Sequence, residues 1–129
     1  MEILNPSGWP RPRGYSNGVS KGKVIAVSGQ IGWDPVTEKL VSSDFAAQAD
    51  RALENVLAIL GAAGASASDV VRLTWFVTDR AAYVAARSPL AGIYRKHFGS
   101  HYPAMSVIFV TGLLEPGAVV EIEATAVIE

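Results

Sequence analysis

Two hydrophobic periods alternate along the chain, and their order predicts the elements. Residues 15–20 and 23–31 are β-prone runs on either side of Lys21-Gly22, a pattern that predicts a hairpin, and Asp34-Pro35 closes its second strand. After Ser42-Ser43-Asp44, the residues Phe45, Ala49, Leu53, Val56, Leu57 and Leu60 form one apolar helical stripe. Asp50, Arg51, Glu54 and Asn55 lie off that stripe, Ser43 or Asp44 can cap its start, and Gly61 or Gly64 can end it. Residues 69–79 are β-branched and aromatic and predict a strand with Val71, Leu73, Trp75 and Val77 on one face. A second helical region starts at Ser88-Pro89, keeps Leu90, Ile93, Tyr94, His97 and Phe98 at helical spacing, and stops at Gly99. Residues 104–111 and 118–128 predict two last strands around a Glu115-Pro116-Gly117 turn with positive φ at the glycine. Ahead of all these, residues 5–14 are broken by prolines and glycines around Trp9, Arg11 and Arg13, so they form an extended arm.

The predicted order is strand, strand, helix, strand, helix, strand, strand. It describes an α+β domain spanning residues 1–129, a mixed sheet with two helices covering one face. The other sheet face is left open, and the later strands are apolar on both sides, which calls for neighbouring subunits. A charged fraction of 18%, below the usual ~25%, points the same way, to a homo-oligomer.

Composition narrows the chemistry. Half of the 129 residues are hydrophobic, enough for a core. The absence of cysteine excludes disulfides, thiolate nucleophiles, Cys-ligated zinc and iron–sulfur clusters. With 11 basic against 12 acidic side chains, no field draws a phosphate backbone, so no nucleic-acid partner is expected. Glu2 and Pro6 do not suit a secretion signal, and no apolar run approaches the ~20 residues of a membrane span. A cytoplasmic protein without a membrane partner is expected.

Three constellations could carry chemistry. Gly14-Tyr15-Ser16-Asn17-Gly18 has the spacing of a nucleophile elbow, but that motif needs a strand before the serine and a helix after it, and neither is predicted. His97 and His101 are spaced four apart as in helical metal sites, yet Gly99 interrupts the helix between them; no metal and no cofactor is expected. Glu121 and Glu123 lie on one face of the last strand, about 7 Å apart. A carboxylate in such uncharged surroundings has a raised pKa and serves as general acid or base where a cleft reaches it. The alternative is a half-solvated strand face, and the residues alone leave both open.

Four segments then carry a resemblance: Gly14-Tyr15-Ser16, Ser28-Gly29-Gln30-Ile31, the run from Asp69 to Val77, and Val120-Glu121-Ile122-Glu123-Ala124. The helix end Asn55-Val56-Leu57-Ala58-Ile59-Leu60-Gly61 and Pro103-Ala104 match as well. The sequence resembles the reactive intermediate deaminase family, also called the YjgF or L-PSP family. The resemblance implies a chorismate-mutase-like fold assembled as a homotrimeric barrel, with a small molecule bound in clefts between subunits. It also implies hydrolysis of imines or enamines with release of ammonia, with Glu121 as the catalytic carboxylate. Tyr15, Ser28, Gly29, Trp33, Met105 and Val107 would line the cleft.

The chain also departs from that family pattern. Active members carry Pro-Ala-Arg-Ser, whose arginine clamps the substrate carboxylate; here the segment reads Pro103-Ala104-Met105-Ser106. Methionine has neither donor nor charge. The family's helix asparagine is also missing from residues 85–91, where Arg87 is a candidate substitute cation, as Arg13 is elsewhere. Together with Trp33, these changes make the expected cleft more apolar. A divergent hydrolase for a larger or less charged imine is the leading expectation. A non-catalytic trimeric binder of small molecules is the second, and the family's endoribonuclease activity a distant third.

Overall fold

The computed structural model describes all of residues 1–129. Eight strands and three α-helices follow in the order β1 (Glu2–Leu4), β2 (Gly18–Lys21), β3 (Val24–Ile31), β4 (Trp33–Asp34), β5 (Lys39–Leu40), α1 (Phe45–Gly61), β6 (Val70–Val77), α2 (Arg80–Ala85), α3 (Arg87–Phe98), β7 (Ala104–Phe109) and β8 (Val120–Val127), with a 3-10 turn at Ala67–Asp69. Six strands form one mixed sheet in the order β1-β2-β3-β8-β6-β7, in which only β6 and β7 run parallel. β4 and β5 form a separate small hairpin.

Of the expected stripe, Phe45, Ala49, Leu53, Val56 and Leu60 are buried, and Ile59 is fully buried where Leu57 is only partly so; they pack with Ile25, Val27, Leu73, Trp75, Ile122, Ala124 and Ala126 of the sheet in one core. Asp44 caps α1: its side chain accepts from the Ala47 N–H at 3.0 Å. The expected turn at residues 115–117 is present, with Gly117 at φ 86°.

The structure corrects the sequence reading at several points. The second helical region is two helices, so three rather than two cover the sheet; Asp79 caps α2, and Ala86 ends it and precedes α3. Pro89 therefore sits in the first turn of α3, where a missing N–H costs nothing, rather than at its first position. The tight hairpin loop is Gly22-Lys23, since Lys21 pairs with Val24. Val71 is exposed and Val70 is buried in its place, because the register of β6 on β8 slips between Val70 and Arg72. A bulge inserts a residue, and strict alternation fails there. Asn55 is not on the solvent side of α1 but 1% exposed. Its amide donates to the carbonyls of Ile31 (3.2 Å) and Trp33 (2.9 Å), so the helix pins the exit of β3. Gln48, also buried, donates to the Ser42 and Gly117 carbonyls and accepts from the Val119 N–H. These two amides tie the segments on either side of the site to one helix.

On the face away from the helices lie Ala26, Arg72, Glu123 and Val127, all exposed. β7 is a free edge whose Met105, Ile108 and Phe109 are each 44–45% exposed. An apolar edge strand of this kind is normally covered. No helix of the chain is long and apolar enough to cross a membrane.

Candidate functional site

β3 carries a second bulge. Val27 pairs with Ala124 and Gln30 with Ile122, so Ser28 and Gly29 stand opposite a single residue of β8. The extra residue brings the backbone at Gly29 under the side chain of Glu121. A Cβ built on Gly29 would lie 2.6 Å from the Glu121 Cδ and 2.8 Å from its Oε2. Glycine is therefore required for this close approach, not for an unusual backbone angle.

Around that carboxyl, Tyr15, Asn17, Gly29, Gln30, Ile31, Trp33, Leu114, Glu115 and Glu121 enclose a cavity of about 100 Å³. Asn17 is held by a hydrogen-bond chain: its amide donates to Asn5 Oδ1 (2.8 Å), and Asn5 donates to the Trp9 carbonyl (2.9 Å). The arm thereby lies against the site, and a smaller neighbouring hollow is walled by Trp9, Arg11, Tyr15 and Trp33. The Ser28 hydroxyl donates to the Asn17 carbonyl (3.0 Å), which also accepts from the Ser28 N–H (2.8 Å).

Glu121 is half-buried and takes part in none of the chain's ion pairs or side-chain hydrogen bonds. Burial pushes its carboxyl above the usual carboxylate range, and the Glu123 charge on the same strand face pushes it further. The pocket is acidic, because Glu115 joins Glu121 in lining it. Such a site holds a carboxyl that exchanges its proton above the ordinary carboxylate range and favours a cationic or neutral partner over an anion.

Of the residues predicted from sequence, Tyr15, Gly29, Trp33 and Glu121 meet in this cavity, with Ser28 just behind it. Met105 does not join them. In register on β6 it pairs with Leu73, which faces the helices, whereas Glu121 pairs with Phe76 on the other face. Met105 instead lines a cavity of about 320 Å³ with Ala91, Tyr94, Arg95, Tyr102 and Pro103. Val107 lines neither cavity and packs against the core. Arg87 lies at the start of α3 and Arg13 on the arm, and neither borders the Met105 cavity; the cation that does is Arg95. The cavity adds Asn17, Gln30 and Glu115, which the sequence does not single out: Gln30 looks like an ordinary polar residue of a strand, and Glu115 like part of a turn.

The remaining candidates are occupied elsewhere. His97 Nε2 lies 2.6 Å from Asp50 Oδ1, and His101 Nε2 lies 2.7 Å from the Val70 carbonyl, so the two rings serve different partners. Ser16 is followed by β2 and not by a helix. A larger hollow of about 580 Å³ between the start of α1 and α2 contains Asp44 and Asp79, both of which already cap helices.

Comparison with known proteins agrees with this architecture. The chain matches the Endoribonuclease L-PSP family over residues 10–128. It is 37% identical to the human 2-iminobutanoate/2-iminopropanoate deaminase over 113 residues, covering 88% of this chain and 79% of that protein. The crystal structure of the E. coli YjgF gene product superposes with a TM-score of 0.88 at 34% identity, and that of E. coli TdcF with bound serine at 0.87 and 33%, each over the whole of both chains. An α+β mixed sheet backed by helices, a bulge that seats a lone carboxyl on a glycine, and these likenesses lead to one conclusion: the chain belongs to the YjgF, or reactive intermediate deaminase, family, also called Endoribonuclease L-PSP.

Proposed function

We propose that this protein hydrolyses an imine or enamine, releasing ammonia, and that its substrate is larger or less charged than the small imines formed from amino acids. The observation that carries the reading is the Glu121 carboxyl: half-buried, free of partners, raised in pKa and seated on Gly29 at a cavity mouth. In the proposed reaction Glu121 takes a proton from a water as its oxygen adds to the imine carbon, and passes that proton to the imine nitrogen. Glu121 then takes the proton of the carbinolamine hydroxyl and delivers it to the amino nitrogen, so that the C–N bond breaks, ammonia leaves and the C–O bond becomes the carbonyl. Both protons gained by nitrogen come from the one water, and Glu121 ends ionised as it began. Tyr15 and Trp33 wall the reacting group, and Ser28 and Gly29 form the floor. Relatives named as imine deaminases support this reaction class.

The working unit is a homotrimer in the cytoplasm. The open sheet face and the bare β7 edge support assembly, and the ligand cleft lies where one subunit's Glu121 pocket meets another's β7. Met105 supports the substrate preference, since it supplies no charge to a small carboxylate. The second reading, a non-catalytic binder, is favoured by that same methionine; an RNA ligand is disfavoured by the acidic pocket.

The test generates imines from alanine, phenylalanine and benzylamine with the appropriate oxidases and measures semicarbazide trapping. The reading expects protection against trapping with the bulkier or uncharged imines and little with 2-iminopropanoate. Strong protection with 2-iminopropanoate contradicts the substrate preference, and no protection with any of them leaves the binder.

A further inference from the structure

Four polar side chains are buried in this chain, and they divide into two pairs. Gln48 and Asn55 use both ends of their amides: besides donating to carbonyls, Gln48 accepts from the Val119 N–H and Asn55 from the Arg51 Nε–H. Asn17 and Gln30, 9% and 4% exposed, use only the nitrogen end. Backbone carbonyls fix that polarity. Gln30 Nε2 donates to the Ser28 carbonyl at 3.2 Å, and Asn5 must give its nitrogen to the Trp9 carbonyl, so its oxygen is left to accept from Asn17 Nδ2. Asn17 Oδ1 and Gln30 Oε1 therefore accept nothing within the chain. Neither is sealed off, since the one enclosed side-chain polar atom without a partner is Trp75 Nε1. Acceptors on buried side chains that stay open to a hollow are matched by a donor from outside the chain.

That hollow lies under the arm. Gln30 pairs with Ile122 and Ile31 with Glu121, so the Gln30 side chain leaves β3 on the face opposite the Glu121 carboxyl. There, in a space of about 50 Å³, Asn17 and Gln30 meet the aromatic walls Trp9, Tyr15 and Trp33. Glu38 and Arg11 border it as well, and neither makes an ion pair. Glu38 is held at a conformational cost: it is the chain's one non-glycine residue with positive φ, 59°, a region that favours glycine or asparagine. Asp34 builds the turn, its Oδ1 accepting from the Val36 and Thr37 N–H groups and its carbonyl from the Glu38 N–H. A glycine would serve that turn better, so the turn does not account for a glutamate. Aromatic faces, two amide oxygens and a carboxylate together make a cage for a cation that carries N–H groups. Arg11 is exposed at the same rim, and its like charge opposes such an occupant. The space admits a head group with one or two carbons, not a bulky quaternary ion.

We propose that the arm hollow binds a short primary alkylammonium ion, its N–H groups on Asn17 Oδ1, Gln30 Oε1 and the Glu38 carboxylate and its charge against the indoles of Trp9 and Trp33. The hollow shares Tyr15, Asn17, Gln30 and Trp33 with the Glu121 cavity but needs no step at Glu121, so it stands or falls apart from the reaction proposed above.

The test is a 1H–15N NMR titration of the full-length protein with methylammonium, tetramethylammonium and ethanol at constant chloride concentration. Methylammonium is expected to bind best and to shift the side-chain amide signals of Asn17 and Gln30 and the indole N–H signals of Trp9 and Trp33. Gln30→Met should weaken it by about 10-fold or more, the range of a hydrogen bond to a charged group. Glu38→Gly should weaken it by up to about 5-fold, the worth of an exposed ion pair, while the unfolding midpoint holds or rises. Arg11→Gln should tighten it by a similar factor. Gln30 also holds Ser28, so the surface variants Glu38→Gly and Arg11→Gln carry the test if Gln30→Met misfolds. The proposal is overturned if methylammonium binds no better than ethanol or tetramethylammonium, if Glu38→Gly leaves its affinity intact, or if the shifts fall on Gly29 and Glu121 instead.

Discussion

The Glu121 pocket and the α3–β7 cavity lie on opposite faces of one sheet and are built on opposite principles. The first is small and acidic: a bulge in β3 presses backbone against a carboxyl, and its only charged lining residues are Glu115 and Glu121. The second is larger and aromatic, lined by one cation and no acid. A single chain thus separates a group suited to moving protons from a surface suited to holding a ligand. The proposed trimer would bring the β7 wall of one copy to the Glu121 pocket of its neighbour.

Glu121→Gln tests the proton-moving half with the largest expected effect. Turnover of the preferred imine should fall about 10²-fold or more. Stability at pH 7 should hold or rise. Glu121 has a raised pKa in the fold, so its ionised form costs the folded state free energy at any pH above that value, and the amide removes the cost. Unfolding midpoints of the two proteins check this, and an equal loss of turnover and stability would make Glu121 structural.

Met105→Arg sharpens the contrast from the other side. Restoring a strand-wall cation should raise activity on 2-iminopropanoate by roughly 10–150-fold, the worth of a hydrogen bond between charged groups. No gain would mean that the strand wall does not reach the reacting imine.

Two glycines separate close approach from packing. Gly29→Ala meets only the movable end of Glu121, so it should fold normally and lose about 10-fold or more in turnover by displacing that carboxyl. Gly32→Ala meets the Gln48 Cα at 2.4 Å and its carbonyl oxygen at 2.6 Å, backbone that cannot step aside. It should cost about 1–3 kcal/mol in chemical denaturation, or more.

The smallest effect is in pH. If Glu121 acts as the base, activity falls as it is protonated, at a pH above the ordinary carboxylate range. Glu123→Gln removes the neighbouring like charge, so this acid limb should move to lower pH while the plateau rate stays put. A limb that does not move assigns the titration to another group.

How much of this was legible in the sequence depends on which signal each residue sends. The stripe of α1 and the isolated Glu121 stood out because period and charge are local properties. Asn55 and Gln48 did not, since an amide off a stripe looks like a surface residue until the carbonyls it satisfies are seen. The bulges at Val27/Gln30 and Val70/Arg72 were invisible for a related reason: alternation assumes one residue per position. Arg95 is the instructive miss. Its sequence neighbours Lys96 and His97 carry the same sign, and only the pairing of both with Asp50 shows which cation is left free.

The central claim is that the two halves work together across copies, and subunit complementation tests it directly. Glu121→Gln and Met105→Asp chains, each expected to be inactive alone, are mixed in equal amounts, dissociated and reassembled. If each cleft takes Glu121 from one chain and the β7 wall from its neighbour, random trimers should recover about a quarter of wild-type turnover. If both halves of a working site belong to the same chain, the mixture stays as inactive as its parts, and the account of a shared cleft is contradicted.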